Sequence, residues 1–243
     1  MITIKDEIDQ EIEWVIRETT KIKLLPHKYE FTDEEKEIYY KSMVPMIYAY
    51  LEGFIKNAIR IYMKFVNELN LNFDEISTRL LVHKFEKKYN CFKEKIEMIE
   101  HKERLVQKVF QDIVSNDKTI NFNEKAIQNI NCDRLNKLLL ELNFKEISNK
   151  YINDGLNKLL QYRNGIAHGE NCYKVSEELM MEFINVIIKT MDCISDIISE
   201  GYNRKNYLKE CQSLWLVFFL SITLYKDGKY NKNPQIVNFL WKT

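Results

Sequence analysis

The sequence predicts an all-α protein built from long helices, and three observations carry that prediction. Apolar residues recur at intervals of three and four along several long segments, which is the period of a helix buried on one face. Six glycines and three prolines in 243 residues are too few for the many tight turns of an all-β fold. A hydrophobic content of 45% supplies enough apolar surface for a core.

The first helices are predicted in the N-terminal third of the chain. Thr32-Asp33-Glu34-Glu35 is typical of a capping box and predicts a helix start, and Pro45 either breaks that helix or begins the next. Gly53 would let a neighbouring helix approach closely. The apolar stripe here comprises Met43, Ile47, Tyr50, Phe54, Ala58, Ile61, Phe65 and Leu69.

Four later segments repeat the helical pattern. Between the first and the second of them, Ser115 to Phe122 is rich in Asn, Asp and Thr and is expected to be irregular. The helix at 149–167 should bury Ile152, Leu156, Leu159 and Leu160 and stop at Gly169. Ser176 is expected to cap the next helix and Gly201 to end it. The four segments cover residues 92–113, 149–167, 179–198 and 208–225.

The charge balance excludes a strongly basic nucleic-acid-binding module. Lys and Arg total 36, and so do Asp and Glu, so any contact with RNA must be local. Residues 79–108 hold nine basic and five acidic side chains. That excess fits either a local RNA contact or an ordinary solvated helix face.

Cysteine usage and the apolar runs indicate the compartment. Five cysteines without a Cys-x-x-Cys pair predict neither a disulfide framework nor a zinc module, so we expect reduced thiols. The N-terminus turns acidic at once, which is unlike a signal peptide. The longest apolar run, Leu214 to Leu220, falls short of the roughly 20 residues that span a bilayer. A soluble, cytoplasmic protein without membrane contact is therefore expected.

Arg163 and His168 form the chemically most informative pair, five positions apart at the end of the 149–167 helix. Arginine offers a permanently charged planar fork for a phosphate, and histidine can move a proton near neutral pH. Five residues of continuous helix would leave the two side chains about 140° apart. We expect Gly165 and Gly169 to loosen the helix so that both face one cleft. The residues alone favour a structural interpretation, in which Arg163 caps helix carbonyls and His168 is a favourable cation at a helix end.

Two separated motifs resemble one family. The pattern Arg-Asn-x-x-x-His at 163–168 resembles the signature of the HEPN domain (higher eukaryotes and prokaryotes nucleotide-binding). Tyr48-Ala49-Tyr50-Leu51-Glu52-Gly53-Phe54-Ile55-Lys56 is similar to a stretch of its prokaryotic MAE-like branch. The resemblance covers roughly residues 1–202. We therefore expect an HEPN-like helical bundle with additional helices, as one domain over 1–243 with 203–243 as a helical extension.

The resemblance implies a metal-independent endoribonuclease. In such enzymes the ribose 2′-OH attacks the adjacent phosphorus and leaves a 2′,3′-cyclic phosphate and a 5′-OH. Carried over, His168 is the general base or acid and Arg163 steadies the phosphorane. Asn164 would position phosphate, or else form a helix-end hydrogen bond. The resemblance also implies a homodimer with a shared cleft, and a toxin or anti-phage defence effector with an antitoxin or defence-system partner.

Glu52 is the supporting candidate, because a carboxylate among apolar neighbours needs a partner. It would either pair with Arg163 or His168 and orient them, or pair with Lys56 four residues on.

No metal or cofactor is expected. His168, Glu170 and Cys172 supply three potential ligands, but no second pair lies near them in the sequence. The other histidines, His27, His83 and His101, are expected at the surface.

A rival interpretation is a non-catalytic HEPN module that binds RNA, a nucleotide or a partner protein. The intact Arg163 and His168 favour the enzyme, whereas the balanced charge favours the partner role. HEPN proteins paired with a minimal nucleotidyltransferase carry Tyr two residues after the motif His. Here that residue is Glu170, which argues against that subclass.

Overall fold

The structure, a computed structural model, describes residues 2–89, 99–114, 118–121, 127–170 and 172–209. Within those ranges the chain forms α-helices and one isolated antiparallel bridge between Ile76 and Leu208, with no sheet. The all-α prediction is confirmed. The helices are α1 (Ile4–Lys28), α2 (Asp33–Glu68), α3 (Thr78–Tyr89), α4 (Ile99–Val114), α5 (Cys132–Glu141), α6 (Lys150–Ala167) and α7 (Glu177–Asn203).

Capping boxes begin both of the first two helices. At α2 the Thr32 side chain accepts from the backbone N–H of Glu35, whose carboxylate accepts from the N–H of Thr32. This is the capping box that the sequence predicts. Thr3 and Asp6 make the same reciprocal pair at the start of α1. Each box satisfies backbone donors that the first turn of a helix leaves without partners.

Helix α2 is longer than the sequence pattern indicates. Pro45 lies inside a helix that runs unbroken from Asp33 to Glu68, so the prediction that Pro45 breaks or starts a helix is wrong. The predicted stripe is only partly buried: Ile47, Phe54 and Ala58 are in the core, whereas Leu69 is 41% exposed. The core face of α2 includes neighbours on both sides of that stripe: Tyr40, Val44, Tyr48, Leu51, Ile55, Ile59, Tyr62, Met63 and Val66.

The core forms where α2 packs against α1, α6 and α7, and where α6 packs against α7. Gly155 of α6 permits one close approach, because a Cβ atom there would lie 2.4 Å from Cγ2 of Val186. Gly53 does not play this part: a Cβ atom there would meet nothing within 4 Å. The expectation of a helix crossing at Gly53 is therefore wrong.

The bounds of α6 and α7 follow capping chemistry. Asn149 caps α6 and Ser176 caps α7, in agreement with the predicted starts. Helix α7 continues to Asn203, past the stop predicted at Gly201. Gly201 is buried under the ring of Phe144, and a Cβ atom there would lie 2.5 Å from that ring. The left-handed residue after the helix is Lys205, with φ of 60°.

Some predicted segments lie wholly or partly outside the described residues. The predicted stripe at 92–113 is described from residue 99 onward, and that part belongs to α4. The predicted irregular stretch, Ser115 to Phe122, is described only at 118–121, which are not helical. The predicted C-terminal stripe is outside the described residues from Cys211 onward. No helix in the described part of the chain is long and apolar enough to cross a bilayer.

Candidate active site

Helix α6 ends in a regular Schellman turn that carries the Arg/His motif. The N–H of Glu170 donates to the carbonyl of Gly165 at 2.9 Å, and the N–H of Gly169 donates to that of Ile166 at 3.0 Å. Gly169 takes the left-handed conformation, with φ of 76°, as its predicted role as a helix stop requires. His168 is the C-cap residue.

The helix does not loosen at Gly165, contrary to our expectation. The N–H of His168 still donates to the carbonyl of Asn164 at 3.0 Å, so the helical pattern continues to the cap. Gly165 serves packing instead. The ring of Tyr173 lies against it, and a Cβ atom would be 2.0 Å from Cε2 of that ring. Tyr173 in turn packs edge-on against Tyr162, with 4.9 Å between the ring centroids.

Arg163 is half-buried and held on several sides. Its Cζ lies 5.2 Å from the centroid of the Tyr48 ring, a cation–π distance. Its Nη1 donates to Oδ1 of Asn164 at 2.9 Å and to Oδ1 of Asn129 at 3.3 Å. The side-chain oxygen of Asn164 therefore accepts from Arg163, and the side-chain NH₂ group of Asn164 stays available as a donor. The guanidinium is fixed before any ligand arrives.

Glu52 supports this arrangement through the backbone of Asn129. Its Oε1 accepts a hydrogen bond from the Asn129 N–H at 3.1 Å. Among the described residues Glu52 makes no ion pair with Arg163, His168 or Lys56, so neither predicted pairing is present. The link from Glu52 to Arg163 instead runs through Asn129, which offers its N–H to one and its Oδ1 to the other.

The segment 127–131 also lies at this site, although no helical periodicity or motif in the sequence marks it. Tyr48, fully buried, donates from its phenol to the carbonyl of Ile130 at 3.0 Å. Arg134 donates from Nη1 to the carbonyls of Gln128 and Asn129, at 2.7 and 3.2 Å. Together with the Glu52 contact, these bonds fix a short non-helical segment beside the guanidinium of Arg163.

The environment of Tyr48 keeps its phenol neutral. Burial raises the pKa of Tyr48 far above its ordinary value, the nearby carboxylate of Glu52 raises it further, and Arg163 opposes both. A phenol with so high a pKa stays protonated near neutral pH. Tyr48 is thus a rigid apolar support for Arg163 and an anchor for Ile130.

The structure brings Arg163, Asn164 and Glu52 together around Asn129, and it leaves His168 apart from that group. His168 is exposed, and its imidazole makes no hydrogen bond or ion pair with any described residue. Because α6 stays regular up to its cap, the side chains of Arg163 and His168 point in directions about 140° apart. One chain therefore presents a fixed cation and an accessible imidazole on different sides of the same helix end.

The remaining histidines differ from one another in their surroundings. His27 is exposed and bonds through Nε2 to Glu177 at 2.9 Å, whereas His83 is 4% exposed. The prediction of a surface His83 is wrong, because it lies inward on α3. The side chain of His101 lies outside the described part of the chain.

Metal-ligating side chains do not cluster in the described ranges. No group of three His, Cys, Asp or Glu residues there could hold a metal ion. Among His168, Glu170 and Cys172, the three potential ligands for which no metal is expected, the one described contact joins Sγ of Cys172 to Oε2 of Glu170 at 3.9 Å.

The largest of the described cavities lies away from the motif. A cavity of about 680 Å³ opens between α3 and α5 and is lined by Arg79, His83, Asn136 and their neighbours. Arg163, Asn164 and His168 are not among its lining residues. We place the candidate site at the end of α6 and not in this cavity, because the side chains of the Arg-Asn-x-x-x-His motif lie at the end of α6.

A helical bundle that presents Arg-Asn-x-x-x-His at the end of a core helix defines an HEPN-type domain. The chain belongs to the RiboL-PSP-HEPN family, whose model matches residues 10–200. No curated protein and no solved structure matches the chain. Membership indicates a nuclease or an RNA-binding module. The assignment to the MAE-like branch stays a prediction.

Proposed function

We propose that this protein is a metal-independent endoribonuclease whose active site is formed by Arg163 and His168. One observation carries the proposal: the guanidinium of Arg163 is fixed between the Tyr48 ring and two amide oxygens, while His168, five residues on, has an exposed imidazole. A preorganised cation stabilises the charge that develops on phosphate oxygens in a transition state. An accessible imidazole can reach the hydroxyl groups of a bound RNA.

The reaction is an attack by the ribose 2′-OH on the neighbouring phosphorus. An O2′–P bond forms, the P–O5′ bond breaks, and the products carry a 2′,3′-cyclic phosphate and a 5′-OH. The proton of the 2′-OH goes to an imidazole, and the departing O5′ takes a proton from an imidazolium. His168 serves one of these transfers, and Arg163 stabilises the phosphorane.

Asn164 and Glu52 serve the same site in smaller ways. The amide oxygen of Asn164 accepts from Arg163, so its NH₂ group is the part that can donate to phosphate. Glu52 fixes the backbone of Asn129 and thereby acts on Arg163 indirectly. No cofactor takes part in this mechanism.

The active assembly is a homodimer with the two motifs facing a shared cleft. Within one chain Arg163 and His168 point about 140° apart, so a single phosphodiester is poorly served by one motif. A two-fold axis near the end of α6 would bring His168 of the partner subunit to the side on which Arg163 lies. The divergence of the two side chains supports this arrangement.

The cellular role that fits such an activity is a toxin or an anti-phage defence effector acting on RNA in the cytoplasm. An antitoxin or a defence-system protein would then be its partner. This role rests on the family analogy. Expression of the wild-type chain should arrest growth of a bacterial host, and expression of His168→Ala to the same level should not.

The decisive experiment incubates purified protein with total RNA in the presence of EDTA. We expect cleavage to persist, and the new 3′ ends to be 2′,3′-cyclic phosphates. His168→Ala and Arg163→Ala should each lower the rate by about 10²–10⁴-fold, the usual loss when a proton-transfer group is removed. The matched controls are His27→Ala and Arg204→Ala. The first removes an exposed imidazole that pairs with Glu177, and the second removes an exposed guanidinium that pairs with Glu200.

The outcomes separate the enzyme from its rival. Undiminished cleavage by a folded His168→Ala protein would overturn the catalytic assignment. Loss of cleavage in EDTA, restored by a divalent ion, would overturn the metal-independent mechanism. Retention of RNA without cleavage by the wild-type chain would favour the non-catalytic binding module, which the balanced charge of 36 basic and 36 acidic residues also fits.

A further inference from the structure

Asn129 is in direct contact with both Glu52 and Arg163. Its N–H donates to Oε1 of Glu52, its carbonyl accepts from Arg134, and its Oδ1 accepts from Nη1 of Arg163. Every polar group of this residue except its side-chain NH₂ is thus bonded to a charged side chain. No neighbouring residue of 127–131 connects two of the proposed site residues in this way.

The backbone of Asn129 makes these simultaneous contacts possible. Its φ is 51°, in the left-handed region that asparagine tolerates better than most residues. This conformation is held by bonds to the backbone from both sides: Glu52 on the N–H, and Arg134 on the carbonyl. The side chain of Asn129 is therefore aimed at Arg163 by a backbone that cannot easily turn away.

We propose that Asn129 is the positioning residue that sets the orientation of the Arg163 guanidinium. The inference rests on the proposed ribonuclease function. The Tyr48 ring holds the guanidinium near its face, with Cζ 5.2 Å from the ring centroid, but a cation–π contact is only weakly directional and does not fix where the individual N–H groups point. The directional bonds from Nη1 to Oδ1 of Asn129 and of Asn164 fix that orientation.

A fixed orientation determines which donors of Arg163 meet the RNA. Nη1 is engaged by the two asparagines, and Nε and Nη2 make no hydrogen bond with a described residue. These donors form the edge that a phosphate can bind in bidentate fashion. Glu52 acts one step further back, because it holds the backbone of Asn129 and not the guanidinium itself.

Asn129→Gly tests the inference, because glycine keeps the positive φ and the backbone bonds and loses only the amide side chain. We expect kcat for RNA cleavage to fall between about 10- and 100-fold, the loss typical of a slightly misplaced catalytic group. KM should change less than threefold. In an Arg163→Ala background the same substitution should cause no further loss. If Asn129→Gly lowers kcat as much in the Arg163→Ala background as in the wild type, the inference is overturned.

The matched control is Asn70→Gly. Asn70 is also exposed, has the same φ of 51°, and makes no side-chain hydrogen bond with a described residue. Its replacement should leave cleavage at the wild-type rate. If Asn129→Gly and Asn70→Gly both cleave like the wild type, while His168→Ala is inactive, the positioning role is overturned and the ribonuclease assignment stands. If the wild-type chain cleaves no RNA, both are rejected.

A second measurement does not depend on catalysis. ¹⁵N relaxation of the Arg163 Nε–H group reports the order of the guanidinium in the free protein. We expect greater motion in Asn129→Gly, and wild-type order in Asn129→Asp, which keeps an acceptor oxygen and tolerates the positive φ. Equal order in the wild type and in Asn129→Gly would overturn the inference.

Discussion

The guanidinium of Arg163 lies over the ring of Tyr48, with 5.2 Å between Cζ and the ring centroid. The two residues are 115 positions apart, on α6 and α2. Tyr48 is fully buried and its phenol is bonded to the carbonyl of Ile130, so the ring offers a rigid surface. The Arg/His motif thus depends on the bundle core for the placement of its cation.

Replacement of Tyr48 by Phe separates the ring from the phenol. The ring should stay in place, so RNA cleavage should remain within a few-fold of the wild-type rate. The carbonyl of Ile130 loses its buried donor, and we expect unfolding free energy to fall by about 1–3 kcal/mol in urea titrations. A loss of cleavage as large as that of His168→Ala would show instead that the phenol takes part in the chemistry.

Two glycines in helix interiors should respond oppositely to alanine. Gly53→Ala should raise the unfolding free energy by up to about 1 kcal/mol, because alanine favours the helix and its Cβ meets nothing within 4 Å. Gly155→Ala should lower it by about 1–3 kcal/mol through overpacking against Val186. Urea denaturation measures both changes. Adding Val186→Ala to Gly155→Ala should relieve the clash, and its failure to do so would contradict this account.

Gly169→Ala should loosen the end of α6. The residue has φ of 76°, and a left-handed conformation costs an ordinary L-residue about 1–2 kcal/mol. Gly169→Asn should be milder, since asparagine tolerates this region. The thermal unfolding temperature and the rate of RNA cleavage should both be highest with glycine at position 169, lower with asparagine and lowest with alanine. An alanine variant equal to the wild type in both measurements would contradict the strain argument.

The thiols of Cys132 and Cys172 should differ in reactivity. Burial raises the pKa of Cys132, and the nearby Asp133 raises it further, whereas Cys172 is exposed. Thiolate is the reactive form, so at pH 8 iodoacetamide should modify Cys172 well before Cys132. Peptide mass spectrometry over time measures both sites. Modification of Cys132 should accelerate at higher pH, and equal rates in the native protein would contradict its burial.

Mixed dimers test the shared cleft. Arg163→Ala and His168→Ala should each cleave RNA alone only at the strongly reduced rate given above, but a mixture that exchanges subunits should recover part of the wild-type activity. The reason is that one of the two composite sites would then combine an intact Arg163 with an intact His168. Arg204→Ala mixed with His168→Ala is the control for dilution of the mutant. A strictly monomeric protein that still cleaves RNA would refute the shared-cleft proposal.

Local rules in the sequence were enough for the helices that carry the motif. The bounds of α6, the cap at Ser176 and the left-handed Gly169 all follow from periodicity and from backbone donors that need partners near helix ends. The same rules failed at Pro45 and Gly201. There, packing across the bundle keeps the helix intact beyond a residue that often interrupts one.

The sequence alone determined the fold class, the helix that carries the Arg-Asn-x-x-x-His motif and the choice of Arg163 and His168 as candidate residues, because these depend on residues close together in the chain. Only the tertiary structure decided what holds Arg163. Asn129 is 34 positions from it and stands in no motif. Tyr48 is 115 positions from it and belongs to the family-like stretch 48–56, but nothing in that stretch shows that its ring lies against Arg163. Glu52 reaches Arg163 through a backbone N–H, a group that every residue but proline has and no sequence motif marks.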